Sequence, residues 1–334
     1  MQLKPINLTW HRYDRAHEDF NQEQIKNLVS TRLTTGSDGV EFVFIPTTFI
    51  VGTHNNILTN IKKLKYYDTE TEICSEVYWS TKIEGSHTTY ERACAIHNGS
   101  PVDVYNYSSE KMVENGFNAT KYMNIIGNKI SIKTLRQMWE IMTDNCCDNF
   151  DIAGTLFRTG DVAVGNHIGL RPALLEESMQ IWCDYYNSNI LDEYPFIKAC
   201  LLHFAFAYIH PFCDGNGRSA RLLMNSYLVS RGFDVCHTLA FSKEIGENVH
   251  AYYTALDSSE NVQSDITPFI DYMLSCIYNK VFCINDRVCK NTLKLYAKDH
   301  GQSFDNCIRK LSNTYGTDQY IALVDCLKQD NLIN

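Results

Sequence analysis

An apolar segment followed by a loop rich in glycine and polar residues constrains the fold of this chain more than any other feature. Residues 194–209 are almost wholly apolar and lack strand-like alternation, which predicts a buried helix that ends just before His210. Pro211 opposes continuation of that helix, and the segment 214–217, Asp-Gly-Asn-Gly, is typical of a tight loop. A second amphipathic helix is predicted after Gly217, with Gly232 as its C-terminal stop. The sequence therefore predicts two helices joined by a short, tightly turned loop.

This loop carries the groups that bind the phosphates of a nucleotide. A helix N-terminus attracts anions through its amides and its dipole, and Arg218 and Arg221 lie three residues apart on one face of the predicted helix. Asp214 would repel phosphate without an intervening cation, and Mg²⁺ typically binds one or two carboxylates together with phosphates. His210 is a candidate general base for a hydroxyl nucleophile. Each feature alone is more often structural, but their concentration in twelve residues favours an anion-binding function.

The segment 210–221, HPFCDGNGRSAR, resembles the signature H-P-F-x-[DE]-G-N-G-R-x-x-R of Fic domain proteins at every defined position. The resemblance implies an all-α, mainly helical Fic fold with a small β-hairpin flap. It implies transfer of AMP from ATP to a Ser, Thr or Tyr hydroxyl of a target protein, with release of pyrophosphate. By this resemblance His210 deprotonates the hydroxyl, Asp214 holds Mg²⁺, and Arg218 and Arg221 hold the outer phosphates. Further nucleotide contacts are implied for Gly215, Asn216, Gly217, Ser219 and Ala220.

Two other segments resemble nucleotide-side elements of the same family. Residues 162–164 are a short β-prone segment between Gly160 and Gly165, which by itself predicts only a hairpin. The segment resembles the family's flap, which lies over the nucleotide and can align a target segment by strand addition. The residues implied in the flap are Val162, Ala163, Val164 and Gly165. Tyr252 and Tyr253 resemble the family's tyrosine pair beside the adenine, and two core tyrosines on a helix are an equally good interpretation.

A glutamate far upstream matches an inhibitory motif of some Fic proteins. Residues 72–85 predict a helix, and Ser80 and Glu84 lie four residues apart on one face of it. A glutamate in the last turn is unfavourable to the helix dipole and invites a cationic partner, although a solvated carboxylate is the ordinary interpretation. The segment 80–85, STKIEG, matches the motif [ST]-x-x-x-E-[GN]. The match implies that Glu84 pairs with Arg221 and withdraws it from the γ-phosphate of ATP.

Helix and loop signals divide the chain into three regions. Residues 1–110 are expected to form an N-terminal helical region with the inhibitory helix, and 111–280 the Fic catalytic core. Residues 281–334 are expected to form a C-terminal helical segment that resembles a winged helix without its wing. Within the first region, 40–51 is β-prone and predicts a small hairpin or an extended arm. A helix that begins near 265 is expected to close the core.

Composition restricts the partners of the chain. A net charge of −9 disfavours nucleic acids and anionic membranes. No apolar stretch reaches the length of about 18 residues that a membrane span needs, and the N-terminus lacks a signal pattern, so we expect a cytoplasmic protein. Thirteen cysteines without a C-x-x-C pair fit reduced thiols in a reducing compartment.

The favoured hypothesis is a self-inhibited protein adenylyltransferase that uses ATP and Mg²⁺. Its substrates would be exposed hydroxyls of a target protein or of the chain itself, and a homodimer stays open. One alternative is a nucleotide-sensing regulatory protein whose C-terminal segment binds DNA or a partner, although we do not expect DNA binding. Another is an enzyme that removes AMP, with Glu84 orienting a water molecule. The intact base at His210 favours an enzyme, because a sensor needs no general base.

Overall fold

A computed structural model describes residues 29–32, 41–61, 69–127, 129–146, 155–165, 167–234, 236, 239–261 and 265–281. These residues are mainly helical, and their strands form two small antiparallel sheets. The expected all-α architecture with a small hairpin is therefore confirmed. The predicted C-terminal helical segment lies outside the described residues, apart from its first residue at 281.

Helices outnumber strands along the described part of the chain. The helices are α1 (Thr48–Ile61), α2 (Thr69–Ile83), α3 (Tyr90–His97), α4 (Tyr107–Ile126), α5 (Ile132–Thr143), α6 (Leu175–Asn187), α7 (Pro195–Ile209), α8 (Asn216–Ser230), α9 (Phe241–Glu247), α10 (Val249–Asn261) and α11 (267–281). The strands are β1 (Val29–Arg32), β2 (Glu41–Phe44), β3 (Ala163–Val164) and β4 (His167–Ile168). Short 3₁₀ turns occupy Val104–Asn106 and Pro172–Leu174.

Helix α7 is the centre of the core. Almost all of its side chains are buried, as expected of a helix that is apolar all round, and Pro195 opens it at a position where proline costs no hydrogen bond. Its buried lysine, Lys198, donates to the Ser188 carbonyl at 2.7 Å. Helix α8 packs along α7, so the two helices predicted from the sequence form one buried pair joined by the loop between them.

The N-terminal hairpin differs from the sequence prediction in its extent. Strand β2 pairs with β1 in an antiparallel register. The carbonyl of Val43 in β2 also accepts a hydrogen bond from the amide of Ile266 at 2.9 Å. The β-prone run does not continue through residue 51, because α1 begins at Thr48. The Thr47 hydroxyl accepts from the amide of Ile50 at 3.1 Å, and this N-cap starts the helix. The hairpin prediction was therefore correct to Phe44 and wrong beyond it.

Helix α2 packs in a groove between α4 and α9 and contacts α8. Two glycines let it approach closely. A Cβ atom on Gly116 of α4 would lie 2.8 Å from Cγ1 of Val77, and a Cβ atom on Gly246 of α9 would collide with the ring of Trp79. Because both positions have no side chain, side chains of α2 can pack directly against the backbone of α4 and of α9. These two contacts fix the position of α2.

The helices of the described segments give no membrane-spanning candidate, because none combines the required length and hydropathy.

Two buried histidines make the stability of the core depend on pH. Burial lowers the pKa of His203 on α7 to about 3 and that of His54 on α1 to about 4. In the unfolded chain these imidazoles take up protons below their ordinary pKa of about 6.5, whereas the folded chain does not. The free energy of unfolding therefore falls as the pH drops below that value.

We expect His203→Gln to weaken this pH dependence. Between about pH 7 and about pH 5, the loss of unfolding free energy should be smaller in this variant than in the parent by about 2 kcal/mol, because one proton uptake is removed. Urea unfolding at both pH values measures the difference. As a control, Tyr252→Phe removes the hydroxyl that lies 2.8 Å from His203 but keeps the imidazole. It should retain the parent's pH dependence, and an equal weakening in both variants would contradict the assignment.

Candidate active site

His210 follows α7 directly and is held in an uncommon backbone conformation. Its φ of 51° and ψ of 61° lie in the left-handed region. Its Nδ1 atom lies 3.2 Å from the carbonyl oxygen of Ala207. Because a carbonyl only accepts, the neutral ring carries its proton on Nδ1 and its lone pair on Nε2. The turn therefore presents Nε2 as a proton acceptor.

The surroundings of His210 keep it neutral. Burial lowers the pKa of His210 to about 4. The hydrogen bond to Ala207 and the charge of Glu84 oppose this lowering, whereas His167 and Arg158 add to it. At neutral pH the imidazole is therefore unprotonated, which is the form that a general base requires.

The loop between α7 and α8 is braced by side chains. Asn216 accepts from the Phe212 amide at 3.0 Å and donates to the Phe212 carbonyl at 2.7 Å. Trp139 of α5 donates from its indole nitrogen to the carbonyl of Asp214 at 2.7 Å. Gly215 has a φ of 78°, a conformation that favours glycine, and it is the residue before α8. These contacts fix the orientation in which α8 begins.

The N-terminus of α8 offers backbone groups that are suited to binding an anion. The amide of Ser219 donates to the carbonyl of Gly215 at 2.9 Å, which is the first hydrogen bond of the helix. The amides of residues 216–218 precede it and point out along the helix axis. The residue at the N-cap position, Gly215, has no side chain that could cap this end. These amides and the helix dipole together favour a negatively charged ligand.

Arg218 and Asp214 flank this N-terminus. Arg218 is buried, its Nη1 lies 3.3 Å from the carbonyl of Met142, and its Nη2 lies 3.4 Å from Oδ1 of Asp214. The Asp214 side chain is 49% exposed, so its carboxylate can reach a ligand. Within the described residues no group of three or more His, Cys, Asp or Glu side chains is arranged to hold a metal ion. A cation at Asp214 would therefore need phosphate or water oxygens as well, and this donor set fits Mg²⁺.

Arg221 is buried against α2, where it meets Ser80 and Glu84. Its Nε donates to Oγ of Ser80 at 2.9 Å, and its Nη2 donates to the Ser80 carbonyl at 2.8 Å and to Oε1 of Glu84 at 2.7 Å. Burial, the largest single influence, lowers the pKa of Arg221. The charge and hydrogen bond of Glu84, together with the charges of Tyr252 and Glu76, outweigh it, and the net pKa lies above its ordinary value. The ion pair between Glu84 and Arg221 that the sequence motif implied is therefore present in the fold.

Glu84 also occupies space at the anion site. Its Oε1 lies so close to Gly217 that a Cβ atom on that glycine would collide with it, and the same Cβ atom would lie 3.2 Å from Nη1 of Arg221. Gly217 belongs to the first turn of α8. The carboxylate therefore lies where the helix end would receive a phosphate, and two anions cannot share that position without strong repulsion.

The face of α2 that carries Ser80 makes further polar contacts. Four residues earlier, Glu76 accepts from the amide of Ser242 at 2.9 Å and from its hydroxyl at 2.6 Å, at the start of α9. One more turn back, Glu72 lies 3.0 Å from Nζ of Lys280 in a buried ion pair. Spacing of four residues places these groups on one side of the helix. They anchor α2 to two elements outside the α7–α8 pair.

The predicted flap is a short hairpin of β3 and β4. Val162 lies just before β3, where its carbonyl accepts from the amide of Gly169 at 3.0 Å. Gly165 turns the chain with a φ of 60°. Val164 and Ile168 are 49% and 73% exposed. The hairpin thus has apolar side chains facing solvent beside the His210 turn.

The other predicted nucleotide contacts differ in exposure. Tyr252 is buried and its hydroxyl lies 2.8 Å from Nε2 of His203, as the core interpretation expects, whereas Tyr253 is 41% exposed. Ser219 and Ala220 are fully buried. Contact of Tyr252, Ser219 and Ala220 with a nucleotide stays a prediction that their burial does not favour.

Two residues in or near the flap contact the chain around His210, which we call the base turn (residues 208–211). Neither residue was assigned a role from the sequence. Nε2 of His167 lies 2.9 Å from the carbonyl of Tyr208, and its ring centroid is 6.2 Å from that of His210. Arg158 donates from Nε to the carbonyl of His210 at 2.7 Å. Their partners are main-chain carbonyls, which every residue carries. No spacing or composition signal could therefore have identified these contacts.

Comparison with known proteins agrees with this geometry. Residues 129–228 match the model of the Fic/DOC family. The chain is 30% identical over 227 residues to the protein adenylyltransferase Fic of Drosophila yakuba, and the match covers 66% of this chain and 42% of the relative. The relative from Drosophila melanogaster gives the same values. The chain thus spans less than half of the length of these relatives.

Solved structures support the fold. A Fic family protein from Desulfovibrio desulfuricans G20 superposes with a TM-score of 0.62 at 24% identity, covering 74% of this chain and 75% of the other. Fic-1 from C. elegans superposes with a TM-score of 0.57 at 18% identity, covering 72% and 73%. The family match, the relatives and the shared fold agree with the motif at His210, and the chain is a Fic-domain protein.

Proposed function

We propose that this protein transfers AMP from ATP to a hydroxyl side chain of a protein and that its resting form is inhibited by Glu84. The observation that carries the proposal is the position of the Glu84 carboxylate. It pairs with Arg221 at 2.7 Å and lies against Gly217 at the N-terminus of α8, next to a turn that presents a neutral His210. The 30% identical fly relatives, named protein adenylyltransferases, support the reaction class.

The anion site would bind the triphosphate of ATP. The amides at the start of α8 would donate hydrogen bonds to phosphate oxygens, and Arg218 and Arg221 would supply the cationic charge beside them. Mg²⁺ held by Asp214 and the phosphates would neutralise further negative charge during transfer. Tyr253 and the flap hairpin would border the nucleotide on its other sides. Positioning and charge neutralisation are the main contributions that this chemistry needs from a protein.

His210 would act on the attacking hydroxyl. Its Nε2 lone pair takes the hydroxyl proton while the oxygen bonds to the α-phosphorus of ATP. The bond from that phosphorus to the bridging oxygen breaks, and pyrophosphate leaves. The hydrogen bond from Nδ1 to the carbonyl of Ala207 keeps the ring in the tautomer that can accept this proton.

The inhibition would be electrostatic and steric. While Arg221 is paired with Glu84, its charge is already neutralised and its donors are directed to α2. A terminal phosphate entering the same place would meet a carboxylate instead of a free cation. ATP would then bind in a pose that does not direct its α-phosphorus to His210.

Removal of AMP is a second candidate function that one observation favours. Only Oε1 of Glu84 is used in the ion pair, and the side chain is 25% exposed. A carboxylate that reaches solvent and whose charge acts on His210 is suited to orient a water molecule for hydrolysis. Incubation of AMP-modified protein with the parent chain and with Glu84→Gly distinguishes the two, since hydrolysis needs Glu84 and transfer is opposed by it.

We expect Glu84→Gly to raise self-modification with labelled ATP and Mg²⁺. A hydrogen bond to a charged group contributes about 1.5 to 3 kcal/mol, so the rate should rise on the order of tenfold to a hundredfold. Intact-protein mass spectrometry detects each added AMP and gives the rate of its appearance.

Two variants control this experiment. Glu84→Gln keeps the shape and removes the charge, so it should also raise the rate. Lys82→Gly alters the same helix end but leaves the carboxylate, so it should behave like the parent. Equal rates of self-modification in the parent, Glu84→Gly and Glu84→Gln would contradict the inhibitory role of Glu84.

We expect His210→Ala, made together with Glu84→Gly, to lose AMP transfer by at least about a hundredfold, because a general base contributes that much or more. Nucleotide binding should persist, since the α8 anion site is unchanged. Calorimetric titration with ATP and Mg²⁺ measures the binding, and mass spectrometry measures the transfer. Transfer at the rate of the Glu84→Gly protein would show that His210 is not the base.

A further inference from the structure

Arg158 is a buried cation whose hydrogen bonds in the described structure go to backbone carbonyls. Its side chain is among the large ones that are almost completely buried. Nε donates to the carbonyl of His210 at 2.7 Å, Nη1 to Gly160 at 2.6 Å, and Nη2 to Leu170, with Ile209 at 3.5 Å. A guanidinium can serve several acceptors at fixed angles, so one side chain fixes several segments of main chain.

These acceptors belong to both ends of the flap and to the base turn. Gly160 precedes β3 and Leu170 follows β4, while Ile209 and His210 form the turn. The main chain adds two links, because the Arg158 amide donates to Pro211 at 3.0 Å and the Leu170 amide donates to Ile209 at 3.3 Å. The hairpin and the base turn are therefore joined as one unit around a single side chain.

Packing at this junction leaves no spare room. A Cβ atom on Gly169 would lie 2.8 Å from Nη2 of Arg158 and 3.1 Å from Cβ of His210. The end of the flap thus touches both the guanidinium and the base. Movement of one of these three parts requires movement of the others.

The backbone conformation of His210 needs such support. A histidine in the left-handed region is strained, and this strain persists only where surrounding contacts over-determine the turn. The carbonyl that Arg158 binds is the one whose direction the φ and ψ of His210 set. The charge of Arg158 also contributes, after burial, to the low pKa of His210.

We propose that Arg158 is a positioning residue for AMP transfer, which locks the left-handed His210 turn and the flap hairpin into a fixed mutual geometry. This inference rests on the proposed function. The base and the strand that would align the target hydroxyl then share one anchor, so the distance from Nε2 of His210 to that hydroxyl is set by Arg158. The guanidinium itself contacts neither nucleotide nor target.

The test uses Arg158→Met and Arg158→Lys in the full chain that carries Glu84→Gly, with kcat, the KM for ATP and pH profiles measured for AMP transfer. Arg158→Met should lower kcat at least about tenfold with little change in KM for ATP, because misplacement of reacting groups acts on the chemical step. The acidic side of its plot of kcat against pH, here called the acid limb, reports protonation of His210. This acid limb should move to higher pH, because a cation beside His210 is lost. Arg158→Lys keeps the charge, so its kcat should fall less and its acid limb should stay in place.

Arg136 offers a matched control. It also donates to main-chain carbonyls of the segment that leads to the flap, at Thr155 (2.9 Å) and Leu156 (3.1 Å), but it does not contact the base turn. Arg136→Met should retain kcat within about twofold and the parent's acid limb. The proposal would be overturned if a folded Arg158→Met protein had the same kcat and the same acid limb as the protein with Glu84→Gly alone. It would also be overturned if only the KM for ATP changed.

Two further measurements test the proposal if Arg158→Met does not fold or if no AMP transfer is found. If Arg158→Met does not fold, parent kcat in Arg158→Lys overturns the proposal, and a lowered kcat with an unchanged acid limb supports it. If the Glu84→Gly protein itself transfers no AMP, the proposed function fails, and NMR titration of the His210 ring tests Arg158 separately. Arg158→Met should then raise the pKa of His210, and an unchanged pKa would reject the positioning role.

Discussion

The buried guanidinium of Arg221 is satisfied by hydrogen-bond acceptors and a counter-charge from another part of the chain, and the arrangement of this protein depends on that pairing. Leaving such a group unpaired in the interior would cost several kcal/mol. Ser80 and Glu84 of the α2 segment supply the acceptors and the charge. The N-terminal helices therefore dock where the core carries an unneutralised cation. Under the proposed function a phosphate would supply the same charge, so α2 and ATP compete for one partner.

The rest of the site is rigid before any ligand arrives. Asn216 and Trp139 brace the loop between α7 and α8 with their side chains, and the His210 turn is tied to the flap. The base and the α8 N-terminus thus belong to one packed unit that grows out of the buried α7. A site built in this way loses little conformational entropy when it binds a nucleotide. Under the proposed function, the part that would have to move is α2, which lies outside the α7–α8 pair.

The sequence predicted those parts of the molecule that are encoded by local pattern. The apolar run of α7, the glycine-containing loop and the amphipathic α8 follow from periodicity and turn chemistry, and the Glu84–Arg221 pair followed from a motif. Contacts with main-chain carbonyls, such as those of Arg158, have no such pattern. The strand prediction past Phe44 failed because β-propensity in a short apolar run does not outweigh an N-cap at Thr47. Burial of Tyr252 depends on the packing of α10 on α7, which is a tertiary property.

The close approach of α2 to two glycines has an evolutionary consequence. Gly116 of α4 and Gly246 of α9 set how closely these helices approach α2, and neither glycine belongs to the segment from α7 to α8 that carries the candidate site. A single added methyl group at either position would displace α2, and with it Glu84, while the groups proposed to bind ATP stay unchanged. If the chain works as proposed, the degree of repression and the catalytic capacity could therefore be inherited and tuned as separate traits.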